Sequence, residues 1–184
     1  PIISGNVSLY NRCGDGGVLP SPIIACIGKL RDVSKAITMH LKRPDSTLLL
    51  VGERKDECGG SVYYALSNEL GANVPHPDLR EVENQIHALT DTIQAGLILA
   101  AHDISDGGVA TTLAEMSFRN DVGLAVTIPG DVRTDKKIFG ETGGYVLEVT
   151  HENAENVKNI FMKKNIEAIE IGKTMAEKRI RINT

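Results

Sequence analysis

The stretch Ala100-Ala101-His102-Asp103-Ile104-Ser105-Asp106-Gly107-Gly108 constrains this chain more than any other. An apolar run, Gly96 to Ala101, leads into it, and Val109, Leu113 and Met116 follow at the four-then-three spacing of one buried helical face. A strand must end and a helix begin within these few residues. An imidazole, two carboxylates, a hydroxyl and two glycines therefore crowd the place where a helix has unpaired N–H groups and the positive end of its dipole. Two readings of these residues stand side by side. In one, Ser105 or Asp106 caps the helix and the glycines serve only a tight turn. In the other, Gly107 and Gly108 let a phosphate approach the backbone, and Asp103 holds the Mg²⁺ that travels with it.

At 184 residues the chain is long enough for one good-sized domain with a real core. The net charge is −4, and no basic tract exceeds the pairs Lys136-Lys137 and Lys163-Lys164, which argues against a nucleic-acid surface. The longest apolar run is far too short to span a membrane, so neither nucleic acid nor membrane is expected as a partner. Cys13, Cys26 and Cys58 are odd in number and widely spaced. They read as reduced thiols of a cytoplasmic protein, and without a CxxC or HxxxH pair they predict no zinc site. The opening residues do not have the pattern of a signal peptide, and none is expected. Pro1 stands where an apparent strand is already under way, so a piece of a longer polypeptide is expected.

Hydrophobic periodicity predicts strands over 22–30, 36–42 and 47–51, the last a continuous apolar run of the fully buried kind. A helix capped by Ser61 is predicted to run to Leu70 and stop at Gly71. Leu79, Val82, Ile86, Leu89 and Ile93 recur at three and four, which predicts a long amphipathic helix with those side chains inward. After the strand into Asp103 and a helix over 107–119, strands are predicted at 122–128 and 145–149. A helix over 152–164 and strands at 168–172 and 178–182 follow, with Ile180 and Ile182 inward. Glu53 to Glu57 reads as a solvated charged loop. This order predicts an α/β (α+β) fold, a mixed β-sheet with helices packed on it.

Three segments carry a family resemblance. His102-Asp-Ile-Ser-Asp-Gly-Gly-Val109, followed by Thr-Leu-Ala-Glu-Met116, closely resembles the HD-x-SDGGL…LAEM signature of phosphoribosylformylglycinamidine (FGAM) synthase, in its carboxy-terminal synthase-like half. Ser4 to Asn11 with Pro20 to Ile24 is similar to that family's GNVSLYNE…PTPVIG segment. Leu48 to Gly52 with Gly59-Gly-Ser61 is similar to its LLLLG…LGGSEY. Departures occur at Arg12 and Val62, where the family often has Glu, and at Tyr145, where the LFGES-x-x-R motif that Glu141 matches ends in Arg.

The resemblance implies an aminoimidazole ribonucleotide (AIR) synthase C-terminal-like domain over residues 21–184. Residues 1–20 would be the tail of a preceding N-terminal-like domain and a linker. It implies Mg²⁺ and ATP or ADP as cofactors, with Asp103 on the metal and Ser105, Asp106, Gly107, Gly108, Asn6 and Ser8 on the nucleotide. No residue is assigned a catalytic role, and the site is expected to be an auxiliary one, so that the fragment alone is inactive. Implied partners are the upstream synthase domains of the same protein, a glutaminase and small accessory subunits. The alternatives are a structural domain whose nucleotide site has decayed, or a sister enzyme of the same fold: AIR synthase, selenophosphate synthetase or the hydrogenase-maturation protein.

Overall fold

The structure, a computed structural model, describes residues 2–7, 11–18 and 21–184. It comprises two units, Pro1–Arg31 and Asp32–Thr184. In the first, β1 (Arg12–Cys13) and β2 (Gly16–Gly17) form a short antiparallel hairpin turned at Gly14, whose φ of 61° suits a residue without Cβ. The strand predicted over 22–30 is absent. Ile23, Ile24 and Ile27 are 98%, 80% and 88% exposed, and the segment joins no ladder among the described residues. β-Branched composition favours a strand only where a neighbouring strand takes up its backbone groups.

The second unit is built on six strands. They are β3 (Thr47–Val51), β4 (Ile98–Asp103), β5 (Gly123–Thr127), β6 (Tyr145–Val149), β7 (Ala168–Met175) and β8 (Ile180–Asn183). Their order is β4-β6-β3-β7-β5-β8, antiparallel at every pairing except β5–β8, so the sheet is mixed. All five residues of β3 are buried because it lies inside the sheet and both its faces are covered. Leu48 and Leu50 point into one core with Val109, Leu113 and Met116. Leu49 and Val51 point into the other with Val157 and Phe161. The helices are α1 (Val62–Ala65), which buries no residue, α2 (Leu79–Gln94) and α5 (His151–Met162) against the second core, and α3 (Gly108–Ser117) and α4 (Thr134–Phe139) against the first. Among the described residues no helix is long and apolar enough to cross a membrane.

Several boundaries differ from expectation. Residues 36–42 form only an isolated bridge, Thr38 with Ala100, although Leu41 is fully buried. Ser61 does cap α1, accepting from the Tyr64 N–H at 3.3 Å, but the helix lasts one turn. The helix α4 was not visible in the apolar pattern, because it is short and mostly polar. Ile182 packs against the core, whereas Ile180 is 38% exposed on the sheet's outer strand.

The most informative difference is in α2. Asp78 caps it through the Arg80 and Glu81 N–H groups, and its extent matches the pattern. Its orientation does not. The buried residues are Gln85, Ala88 and Thr92, while Leu79, Val82 and Ile86 are exposed and Leu89 and Ile93 half-buried. The inward face is turned by one residue, about 100°. Small Ala88 lets the helix approach closely, and Thr92 satisfies its own hydroxyl by donating to Leu89 O at 2.8 Å.

Candidate functional site

The candidate site grows from the end of β4, the edge strand. His102 pairs with Val146 and Asp103 with Tyr145 in the β4–β6 register, and the Ile104 N–H extends the ladder by donating to Gly144 O at 2.9 Å. Ile104 is buried and anchors the exit, and Thr112 Oγ1 ties α3 back by donating to Asp103 O at 3.0 Å. The backbone then reverses through Gly107 and Gly108, at φ 78° and 66°, conformations that side chains with a Cβ adopt only under strain.

The helix start differs from the capping reading. Neither Ser105 nor Asp106 caps α3: the N-cap is Gly107, with no side-chain cap bond, and Ser105 and Asp106 are exposed. The anion at this terminus belongs to the protein. Glu141 Oε1 accepts from the Gly107 N–H at 2.9 Å and from the Val62 N–H at 2.8 Å, joining the starts of α3 and α1. The Gly108 N–H donates to Ser105 O at 3.0 Å, so both glycine amides are engaged internally. Packing also demands Gly108, where a Cβ would lie 2.8 Å from Ile138 O and Gly140 O.

Asp103 projects its carboxylate outward, with its side chain 62% exposed. Its Oδ1 lies 3.0 Å from His102 Nδ1, and His102 Nε2 lies 2.8 Å from Glu115 Oε2 on α3. Burial pushes the Asp103 carboxyl up. Hydrogen bonds, led by that from His102, outweigh it and leave the group below its ordinary range.

Asp103 and Ile104 form one wall of a cleft of about 330 Å³. The neighbouring segment from Glu141 to Tyr145, the Gly52–Glu57 loop, Pro75 to Asp78 and the α2 residues Glu81 and Gln85 supply the rest of the lining. Its lining is acidic, with Glu53, Glu57, Asp78, Glu81, Asp103 and Glu141 against Lys55 and His76. The charged loop is not solvated throughout. Arg54 is 5% exposed, and its guanidinium donates to Thr142 O at 2.7 Å and Gly143 O at 2.6 Å. Burial pushes its pKa down to about 10, with Glu57 opposing. A guanidinium thus reaches the segment before Tyr145 from a different loop.

Among the predicted site residues, Asp103 lines the cleft, while Ser105 to Gly108 form the turn behind it. Asn6 is exposed in the first unit, and Ser8 lies outside the described residues. The Glu141 bridge, buried Arg54 and the His102–Glu115 link are side-chain contacts between remote segments. Glu141 had a prior signal in its match to the LFGES motif, and His102 and Glu115 in the HD-x-SDGGL…LAEM signature, whereas Arg54 had none.

Asp103 suits one corner of a metal–phosphate site. No group of three or more His, Cys, Asp or Glu side chains among the described residues forms an all-protein cage. Mg²⁺ commonly takes one or two carboxylates and completes its shell with phosphate oxygens and water.

Residues 43–184 match the family described as AIR synthase related protein, C-terminal domain. The phosphoribosylformylglycinamidine synthase subunit PurL of Methanothrix thermoacetophila is 43% identical over 175 residues, 94% of this chain and 23% of that protein. The chain thus spans about a quarter of the length of such relatives. Among solved structures, T. maritima PurL complexed with FGAR matches with a TM-score of 0.73 and 16% identity, over 82% of this chain and 27% of that one. T. maritima PurL complexed with ATP matches with a TM-score of 0.66 and 16% identity, over 82% and 25%. At that identity the structural likeness speaks for the fold.

Proposed function

The chain belongs to the AIR synthase related protein, C-terminal domain family, and from that premise we propose that it is the C-terminal part of an ATP-dependent FGAM synthase. One observation carries the reading: 43% identity to a synthase subunit of that name, across 94% of the chain. In the proposed reaction ATP phosphorylates the amide oxygen of formylglycinamide ribonucleotide, and ammonia then displaces phosphate to leave the amidine. Such chemistry rests on positioning and charge neutralisation more than on a protein nucleophile.

This chain supplies half of an auxiliary nucleotide site. Asp103 is the metal-holding carboxylate, with Ser105 beside it for phosphate contact, while Asp106, Gly107 and Gly108 shape the turn. Asn6 and Ser8 join the nucleotide set through the resemblance of their segment. The acidic cleft repels a bare polyphosphate, so the nucleotide enters with its divalent cation, which when bound neutralises phosphate charge. The remaining synthase domains complete the site, and a glutaminase with small accessory subunits delivers ammonia.

A second reading is favoured by Glu141, which already fills the anion position at Gly107: a bracing domain whose ancestral site no longer takes nucleotide. Calorimetry of Mg-ADP binding to the full-length polypeptide, wild type against Asp103→Asn, separates the two. The synthase reading expects weaker Mg-dependent binding in the variant. Equal affinity would favour the bracing domain. The isolated chain is expected to show no ammonia-dependent ATP consumption.

A further inference from the structure

We propose that His102 is a positioning residue that fixes the carboxylate of Asp103 for its cation by tying it to helix α3. The proposal rests on the reading of Asp103 given above and concerns how that side chain is held. Asp103 is the last residue of an edge strand and is mostly exposed, so by itself it would sample several rotamers. His102, its neighbour, is only 12% exposed, and its two ring nitrogens face two different carboxylates. Nδ1 is 3.0 Å from Asp103 Oδ1 and Nε2 is 2.8 Å from Glu115 Oε2.

The far end of this chain of contacts is rigid. Glu115 projects from α3, whose Val109, Leu113 and Met116 are fully buried. The imidazole thus lies between a carboxylate of a rigid helix and one oxygen of an exposed carboxylate, within 3.0 Å of each. Oδ2 is the oxygen that the ring does not engage. Partners of this kind behind a metal ligand orient it and raise affinity without touching the ion.

The two contacts can be cut separately. In His102→Asn the amide nitrogen takes the place of Nδ1, which keeps the bond to Asp103 and gives up Glu115. In His102→Gln the amide nitrogen takes the place of Nε2, which keeps Glu115 and gives up Asp103. Mg²⁺ is titrated against the full-length polypeptide with ADP by calorimetry, and melting temperature is read without metal. His102→Gln is expected to weaken Mg-dependent ADP binding about tenfold, and His102→Asn about threefold.

If His102 merely braced β4 against α3, the melting temperatures would change while Mg-dependent affinity stayed at the wild-type value in both variants. That outcome overturns the proposal. Glu115→Ala, at a side chain 40% exposed, serves should His102→Gln not fold. It is expected to weaken the same affinity about threefold, and an unchanged affinity overturns the proposal. Asp103→Asn is measured alongside. If it weakens binding while His102→Gln does not, the positioning role fails and the synthase reading stands. If Asp103→Asn binds as wild type, both fail together.

Discussion

Glu141 Oε1 lies 2.9 Å from the Gly107 amide nitrogen, so the start of α3 carries a protein carboxylate where a bound anion was expected. The same oxygen accepts from the Val62 N–H, and one side chain therefore engages one N–H at the start of each of two helices. Glu141→Ala leaves both N–H groups without this partner. A loss of about 1.5–3 kcal/mol is expected from denaturant unfolding, as for a hydrogen bond to a charged group. Glu141→Gln, which keeps an acceptor oxygen, is expected to lose less.

The two glycines of the turn should respond differently to alanine. At Gly108 a new Cβ meets backbone, Ile138 O and Gly140 O at 2.8 Å, and the φ of 66° is itself unfavourable. Gly108→Ala is expected to cost at least about 2 kcal/mol, from strain and overpacking together. At Gly107 the obstacle is the Thr111 side chain, which is able to rotate away. The expected cost there is nearer the lower end of backbone strain, about 1 kcal/mol. Equal thermal midpoints for the two variants would contradict this packing account.

The turned face of α2 gives opposite expectations for adjacent positions. Ile86 is 48% exposed, so Ile86→Glu should change stability by no more than about 0.5 kcal/mol. Ala88 is fully buried against the second core, and Ala88→Leu should cost about 1–3 kcal/mol through overpacking. Leu89 is only half-buried, so Leu89→Ala should fall below the range of about 2–5 kcal/mol usual for a fully buried leucine. Urea unfolding of the three variants checks all of this.

Glu148 sets one component of the pH dependence. It is fully buried on β6, and its carboxylate accepts from the Lys42 N–H at 2.8 Å and the Arg43 N–H at 3.3 Å. Burial pushes its carboxyl above the ordinary range despite those bonds. With the folded-state value raised, the folded protein holds the proton more tightly than the unfolded chain. Its stabilising contribution is present below the unfolded value and is lost as pH rises through the folded one. Wild type should therefore lose more melting temperature than Glu148→Gln as pH is raised across that window. A flat difference between the two curves would refute the assignment.

Patterns within one segment were enough to reveal much of this protein. The spacing of Val109, Leu113 and Met116 marks the buried face of α3, and Thr47 to Val51 reads directly as a strand covered on both sides. The extent of α2 follows from its 3.6-residue period, and the turn from Asp103 to Gly108 announces itself by composition. These are local properties, governed by which side chains recur every two or every 3.6 residues. Tertiary structure decided where such segments met partners. The apolar run at 22–30 became no strand, because strand formation depends on a neighbour. The helix α2 rotated because a close-packed seam suits Ala88 and Thr92 better than the larger residues beside them. Glu141 took the start of α3, Arg54 became buried beneath Gly143, and His102 came to lie between Asp103 and Glu115. Hydrogen bonds of this kind form between residues brought together by packing, and spacing along one segment does not encode them.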